Sequence, residues 1–270
     1  MNSVSSRAAA GRPSSLFIVD ETDDYVVAGK PPFIEIHPSK PGGRLTFWDG
    51  LRDLLAFEIV NGGQISIITR LDRETSGLVL VAKTHTAARR FHQLMAAQKV
   101  RKEYLAIVWD WPKESRFTVD APLTRQGAKT ASRIYLKRMV HEEGAPARTD
   151  FQVESRFTRG TQNGHRFALL RAFPQTGRTH QIRVHLAYAG HPVVGDKIYG
   201  PDEECYLEFI RTGWTESLAH RLLLPRHALH AAVLGVPEMN LRWQLDLPAD
   251  LASWIAAPTH EERTATETPP

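Results

Sequence analysis

The segments of this chain that read as β-strands do not alternate strictly with helices, and that feature restricts the fold most. Residues 16–19 and 25–27 are β-rich around an acidic turn, Asp23-Asp24. Short apolar stretches with strand character follow at 65–68, 77–82, 104–109, 130–137, 149–157 and 166–173. Two more, 228–234 and 241–245, lie near the end. Asn163-Gly164 marks a turn. Helical spacing appears at 45–57, through Leu51, Leu54 and Leu55, and again after Thr84. There an N-cap precedes AARRFHQLMAAQK, with Ala88, Phe91, Leu94 and Met95 on one face. A third helix is predicted over about 180–189: Thr179 caps it, Ile182, Leu186 and Ala189 share a face, Gly190 suits C′ and Pro192 follows. A fourth is predicted at 203–210. Lys30-Pro31-Pro32 and HPSKPGGR (37–44) are breaks or loops. No repeat and no Pro/Ser-rich linker divides the middle. The order predicts an α+β protein with a mixed or antiparallel sheet, not a doubly wound one.

Composition narrows the class. With 270 residues, 42% of them hydrophobic and 24% charged, the chain can bury one large core or two small ones. Its single cysteine, Cys205, excludes an intrachain disulfide and any CxxC zinc site, so a reducing cytoplasm is the expected location. No apolar run approaches the roughly 20 residues of a membrane helix. The opening MNSVSSRAAAGRPSS has no apolar h-region; its Ser, Ala and Arg faintly resemble a transit peptide, and the plainer reading is a disordered arm. Charge is uneven. Residues 69–138 hold 15 Lys/Arg against 6 Asp/Glu, whereas 196–270 hold 6 against 12. A polyanion-facing surface and a solvated basic face both fit that pattern.

The chain has no Walker A loop, no GxGxxG, no HExxH and no GxSxG. His180, His185 and His191 are spaced so that they do not share a helical face. His227 and His230, three apart, would meet only on a helix, and a pair alone is a weak metal signal. No metal or cofactor is expected. Asp72 stands between Arg70 and Arg73 in TRLDRETS. One reading is a polar loop whose side chains bond nearby backbone. The other is a carboxylate kept ionised by arginine: a poor general acid, but a good anionic nucleophile or stabiliser of charge at a sugar carbon. Thr75, Ser76 and Gly77 would tighten that turn and let a substrate approach the backbone. Arg178 and Arg183 flank a predicted helix start, a place suited to phosphate, although surface ion pairs explain them equally well.

Taken in order, these pieces resemble the RluA family of RNA pseudouridine synthases over almost the whole length. VVAGKPPFIEIHP looks like the family's opening Lys-Pro segment, at Lys30 and Pro31. TRLDRETSGLVLVAKT resembles its His-Arg-Leu-Asp-Arg-x-Thr-Ser-Gly signature, and RKEYLAIVW its Lys-x-Tyr strand, at Lys102 and Tyr104. TGRTHQIRVHLAYAGHPVVGDKIYG resembles the Thr-Gly-Arg-x-His-Gln-Ile-Arg block that runs on to Gly-His-Pro and Gly-Asp. RHALHA, from Arg226, looks like the late Arg-x-x-Leu-His-Ala element.

The resemblance implies a mixed, largely antiparallel sheet flanked by helices around a central basic cleft. It implies a catalytic domain over 16–256, with disordered ends at 1–15 and 257–270. Asp72 would be the catalytic aspartate and Arg183 its partner. Arg70 would enter the RNA where a uridine has swung out, and Tyr104 would pack on the flipped uracil. Ile182 would support the ring's other side, and Arg73 would contact backbone or phosphate. Thr75, Lys102, Arg178 and His180 complete the expected substrate-binding set. Thr69 stands where most relatives have histidine, and Ala28-Gly29 where an asparagine is common. With about 15 residues before the first strand, the small N-terminal RNA-binding module of some relatives is not expected. The expected partner is structured RNA, ribosomal or transfer, acted on by a monomer. A catalytically silent RNA-binding factor of the same fold, or a metal-free nucleoside hydrolase, are the rival readings.

Overall fold

The computed structural model describes residues 16–38, 44–159 and 164–256. Its strands are β1 (Phe17–Glu21), β2 (Tyr25–Lys30), β3 (Ser66–Ile67), β4 (Ser76–Ala82), β5 (Arg101–Trp109), β6 (Arg116–Asp120), β7 (Leu123–Arg125), β8 (Arg138–Val140), β9 (Arg148–Arg159), β10 (His165–Pro174), β11 (Leu229–Val236) and β12 (Leu241–Gln244). Its helices are α1 (Phe47–Leu54), α2 (Ala56–Val60), α3 (His85–Ala96), α4 (Gln181–Tyr188), α5 (Glu204–Thr212), α6 (Glu216–Leu222) and α7 (Ala249–Ala256). The main sheet runs β1-β2-β4-β11-β5-β10-β9-β6, with β3 on β4 and β12 on β11; β7 and β8 form a separate ribbon. Every pairing is antiparallel except β4 with β11. The fold is therefore the expected α+β, with a mixed and largely antiparallel sheet.

Alternation along β2 and β4 explains how helices cover both faces. Tyr25, Val27, Leu78 and Leu80 pack on Phe91 of α3, while Val26, Ala28, Val79 and Val81 pack on Phe47 and Leu51 of α1. A strand covered on both sides reads as a continuous apolar run, as SGLVLVA does. Thr84 caps α3 by accepting from the Ala87 amide, and Thr46 with Asp49 forms a capping box at α1. A further core joins β5, β9 and β10 to Ile182 and Leu186 of α4 and Leu251 of α7.

The parallel joint is short: His230 faces Ser76 and Ala231 faces Gly77. Gly77 has φ +121°, and a Cβ there would lie 2.6 Å from the Ala231 nitrogen and closer still to its carbonyl oxygen. The glycine thus serves the approach of β11 and not, as expected, the approach of a substrate. The segment 69–75 is delivered from this joint.

Other expectations are corrected. The helix over 45–57 is broken at Leu55 into α1 and α2. The stretch 130–137 is not a strand: after a 3-10 turn at Gln126–Ala128 the chain closes a second turn, with the Lys137 amide donating to Ile134 O at 3.1 Å. That turn buries Ile134 against Val184, Ile198 and Tyr199, and burying a side chain of this size contributes about 1.5–3 kcal/mol. Thr179 does not cap α4; His180 takes the cap position at φ +58°. His227 and His230 do not share a helix; the first precedes β11 and the second lies within it. The terminal arm and tail, residues 39–43 of the expected loop, and Asn163 of the expected turn lie outside the described residues.

Candidate active site

Asp72 sits just before β4 and faces a cleft of 570 Å³. The turn that carries it is closed by the Thr75 amide on Asp72 O at 3.1 Å, and Lys30 braces it by donating to Arg73 O at 3.1 Å, Pro31 O at 2.9 Å and Ile34 O at 2.9 Å. Behind the cleft, Arg183 of α4 is buried and serves two carboxylates. Its Nη1 donates to Asp72 Oδ2 at 2.8 Å. Its Nε and Nη2 donate to Asp196 Oδ2 and Oδ1 at 2.6 and 2.8 Å. Asp196 is fully buried and also accepts the amides of Ile198 and Tyr199. The Tyr199 ring lies 5.0 Å from the Arg183 guanidinium. A planar fork filled on one side by a fixed carboxylate presents its remaining N–H in a fixed direction.

His180 approaches Asp72 from the helix start, Nε2 to Oδ2 at 3.9 Å. Its left-handed backbone is a strained conformation for a non-glycine residue. Tyr199 holds it there: the Tyr199 hydroxyl accepts the Arg138 amide at 2.8 Å and lies 2.8 Å from His180 Nδ1. That hydroxyl proton is therefore free to go to Nδ1, which leaves Nε2–H facing Asp72. On the other flank Thr75 Oγ1 meets His227 Nε2 at 2.7 Å, and Glu74 is held by Lys197 at 2.8 and 3.0 Å.

Burial pushes the Asp72 carboxyl up, but the charges of His180, Arg183 and His227 and the Arg183 hydrogen bond outweigh it and hold it below the usual range. Burial holds His180 down to about 4 and His227 well below its ordinary value. Both imidazoles are then neutral at pH 7 and add their charges only at lower pH, so at pH 7 the guanidinium is the charge beside the ionised Asp72. Burial, then the Asp72 charge, pushes the Tyr104 hydroxyl up, so it stays protonated. Burial lowers Lys102.

The cleft gathers Arg70, Asp72, Thr75, Lys102, Tyr104, Arg178, His180, Ile182 and Arg183 from three separate stretches of chain. Arg70 and Arg178 are exposed at its rim. Arg73 does not line it. Arg183 faces carboxylates, so it is not the phosphate fork that its place near a helix start suggested; Arg178 donates to Pro146 O at 3.1 Å. Asp196 and Tyr199 were not singled out from the sequence, although both lie in the GDKIYG stretch that carries part of the resemblance. Among the described residues, no group of three or more His, Cys, Asp or Glu is placed to hold a metal ion, and no helix is long and apolar enough to cross a membrane.

Comparison with known proteins gives this arrangement its class. The family model described as RNA pseudouridylate synthase matches residues 24–188. The chain belongs to this family, and its relatives are of the RluA type. It is 35% identical over 248 residues to the ribosomal large subunit pseudouridine synthase D of Nitrosomonas europaea, covering 90% of this chain and 65% of that one. It is 38% identical over 189 residues to the synthase C of Escherichia coli K12, covering 69% and 54%. The chain thus spans less than two thirds of the length of these curated relatives. Among solved structures it is similar to human RNA pseudouridylate synthase domain containing 4, at TM-score 0.66 and 25% identity over 88% of this chain and 91% of that one.

Proposed function

We propose that this chain is an RNA pseudouridine synthase that isomerises a specific uridine in structured RNA, ribosomal or transfer, after swinging it out of its stack. The observation that carries the reading is an ionised Asp72 in a cleft, held by a guanidinium that Asp196 fixes from behind. The reaction breaks C1′–N1 and joins C1′ to C5. The glycosidic electron pair leaves with uracil as a delocalised anion, C5 re-attacks, the C5 hydrogen departs as a proton, and N1 gains one. No second acid is required, in contrast to the carboxylate pair of most glycosidases. Asp72 either adds to C1′ or removes the 2′ proton.

In this reading Tyr104 and Ile182 grip the uracil ring, and Tyr104 assists proton removal from C5 once C5 has joined C1′. Arg70 at the rim fills the space that the base vacates, since a planar guanidinium stacks where a base did. Thr75, Lys102, Arg178 and His180 contact the nucleotide and its neighbours, and Arg73 contacts backbone or phosphate outside the cleft. The chain acts in the cytoplasm, as a monomer of one catalytic domain over 16–256.

Tritium release tests this. C5-tritiated bulk ribosomal and transfer RNA, from cells lacking the gene, is incubated with wild type and Asp72→Asn. Release by the wild type alone is the expected result, and the active RNA pool identifies the substrate class. Release by neither protein indicates a binding factor, and release by both removes Asp72 from the chemistry.

A further inference from the structure

The β7–β8 ribbon carries two arginines that the described part of the protein does not neutralise. Arg125 and Arg138 face each other directly in the antiparallel ladder. Their Cβ atoms are therefore about 5 Å apart, and like charges so placed repel. The other Lys and Arg side chains of this segment are all paired: Lys129 with Glu143, Arg133 with Glu204 and Lys137 with Glu203. Among the described residues no carboxylate is ion-paired with Arg125 or Arg138. Instead, the Arg125 guanidinium lies 4.6 Å from the centre of the exposed Tyr135 ring, which fixes its plane. Arg138 Nε is buried without a hydrogen-bond partner. A charged donor left so is costly, and because this Nε is itself out of reach of solvent, an acceptor from outside meets the half-buried side chain at its Nη groups.

The pair is also well placed. Side chains two apart on a strand share a face, so Arg125 and Arg138 lie on the face of Leu123 and Val140. That face packs on Val184 of α4 and on Ile198 and Tyr199. The Arg138 amide binds the Tyr199 hydroxyl that holds His180 beside Asp72. The charge of Arg138 reaches the cleft as well: after burial and Arg183, it helps to hold the His180 imidazole down. The ribbon that carries the two guanidinium groups thus lies beside the catalytic cleft, which neither arginine lines.

We propose that Arg125 and Arg138 form a clamp for one phosphodiester of the RNA strand that carries the target uridine into the Asp72 cleft. The proposal rests on the synthase reading above. Two forks on one ribbon match the geometry of a single phosphate, whose charge removes the repulsion between them. An acidic protein would have to offer a carboxylate at the mouth of a cleft already lined by Arg70, Lys102 and Arg178, where RNA must enter.

The test is the salt dependence of RNA binding, read in the inactive Asp72→Asn protein so that turnover does not enter. The probe is the tritiated ribosomal and transfer RNA, bound on filters between 50 and 300 mM salt (about the usable range). Removing both arginines is expected to make the slope of log affinity against log salt shallower by about 0.7, the share of one phosphate, and Arg125→Gln or Arg138→Gln alone by part of that. The double variant loses affinity by roughly tenfold or more at 150 mM salt, on the order expected for lost phosphate contacts. Arg242→Gln, which removes the same charge from the exposed face of β12, keeps the parental slope. The glutamine variants relieve a repulsion and should melt no lower than the parent; should one fail to fold, Arg138→Lys is read instead, with the slope kept and the affinity lowered. Parental slopes and affinities in the ribbon variants overturn the clamp, as does an equal slope loss in Arg242→Gln. Wild-type tritium release with parental slopes sinks the clamp alone; slope loss without any release keeps the clamp and sinks the synthase reading.

Discussion

At the scale of single residues, the Asp72–Arg183–Asp196 chain divides its work unevenly. Asp196 is buried and accepts four hydrogen bonds, two from Arg183 and two from the Ile198 and Tyr199 amides. Asp72 takes one of the guanidinium N–H groups and opens to the cleft. Asp196→Asn removes the charge that compensates a buried guanidinium, a loss that costs about 3–5 kcal/mol in comparable buried pairs. Asp72→Asn keeps an acceptor for Nη1–H and gives up only a partly solvated charge, so its effect stays within about 1 kcal/mol. Urea unfolding of both variants measures the contrast; equal costs would mean that Asp196 is not the anchor. This arrangement was only partly legible beforehand. Resemblance drew attention to Asp72 and Arg183, but 111 residues separate them and no periodicity connects them. Asp196 lay inside a motif already quoted and went unassigned, because spacing does not say which carboxylate folds behind which arginine.

At the scale of elements, the site depends on how β4 meets β11. Only two residue pairs form this parallel joint, and one of them is Gly77 with Ala231. Gly77→Ala must hold φ +121° and push its Cβ into the Ala231 backbone. Strained backbone and overpacking together cost about 3 kcal/mol or more. The joint positions Asp72 through a five-residue lead, so activity should fall along with stability. Gly127→Ala, where an added Cβ meets nothing within 4 Å, should change stability by no more than about 1 kcal/mol in either direction. Thermal melts and tritium release on the two variants check this. The same joint shows where sequence patterns reach their limit. β2, β4, β5, β10 and α3 were legible because each carries its own apolar period or cap. The ribbon, α6 and α7 were not. α6 exists to cover Cys205 with Leu218 and Leu222, and the 130–137 segment turns because Ile134 finds a core built from α4 and Ile198; both causes are tertiary.

At the scale of the whole molecule, three neutral imidazoles sit along the seam between the Asp72 segment, β11 and α4, and they set the protein's response to acid. His180 is held down to about 4 mainly by burial and Arg183, His230 to about 4 mainly by burial, and His227 well below its ordinary value for the same first reason. In the unfolded chain each binds a proton near pH 6.5. Between about 6.5 and 4 the unfolded state therefore holds more protons than the folded one, and stability rises with pH across that window. Run downward, each group removes up to about 1.4 kcal/mol per pH unit, so His180 and His230 together withdraw roughly 6 kcal/mol by pH 4. The depressed carboxyls of Asp72 and Asp196 begin to withdraw their own contribution only as pH falls below about 4. Lys30, held down to about 7 by burial, acts in a separate window: from about 7 to 10.5 its sign also makes stability rise with pH. Urea unfolding at pH 7, 6 and 5 should thus show stability already falling at pH 6, well above carboxylate titration. His230→Gln replaces the ring that Ser76 Oγ meets at 2.9 Å, and it should flatten the pH 6-to-5 slope by about 1 kcal/mol. A slope that the substitution leaves unchanged would place the acid sensitivity outside this seam.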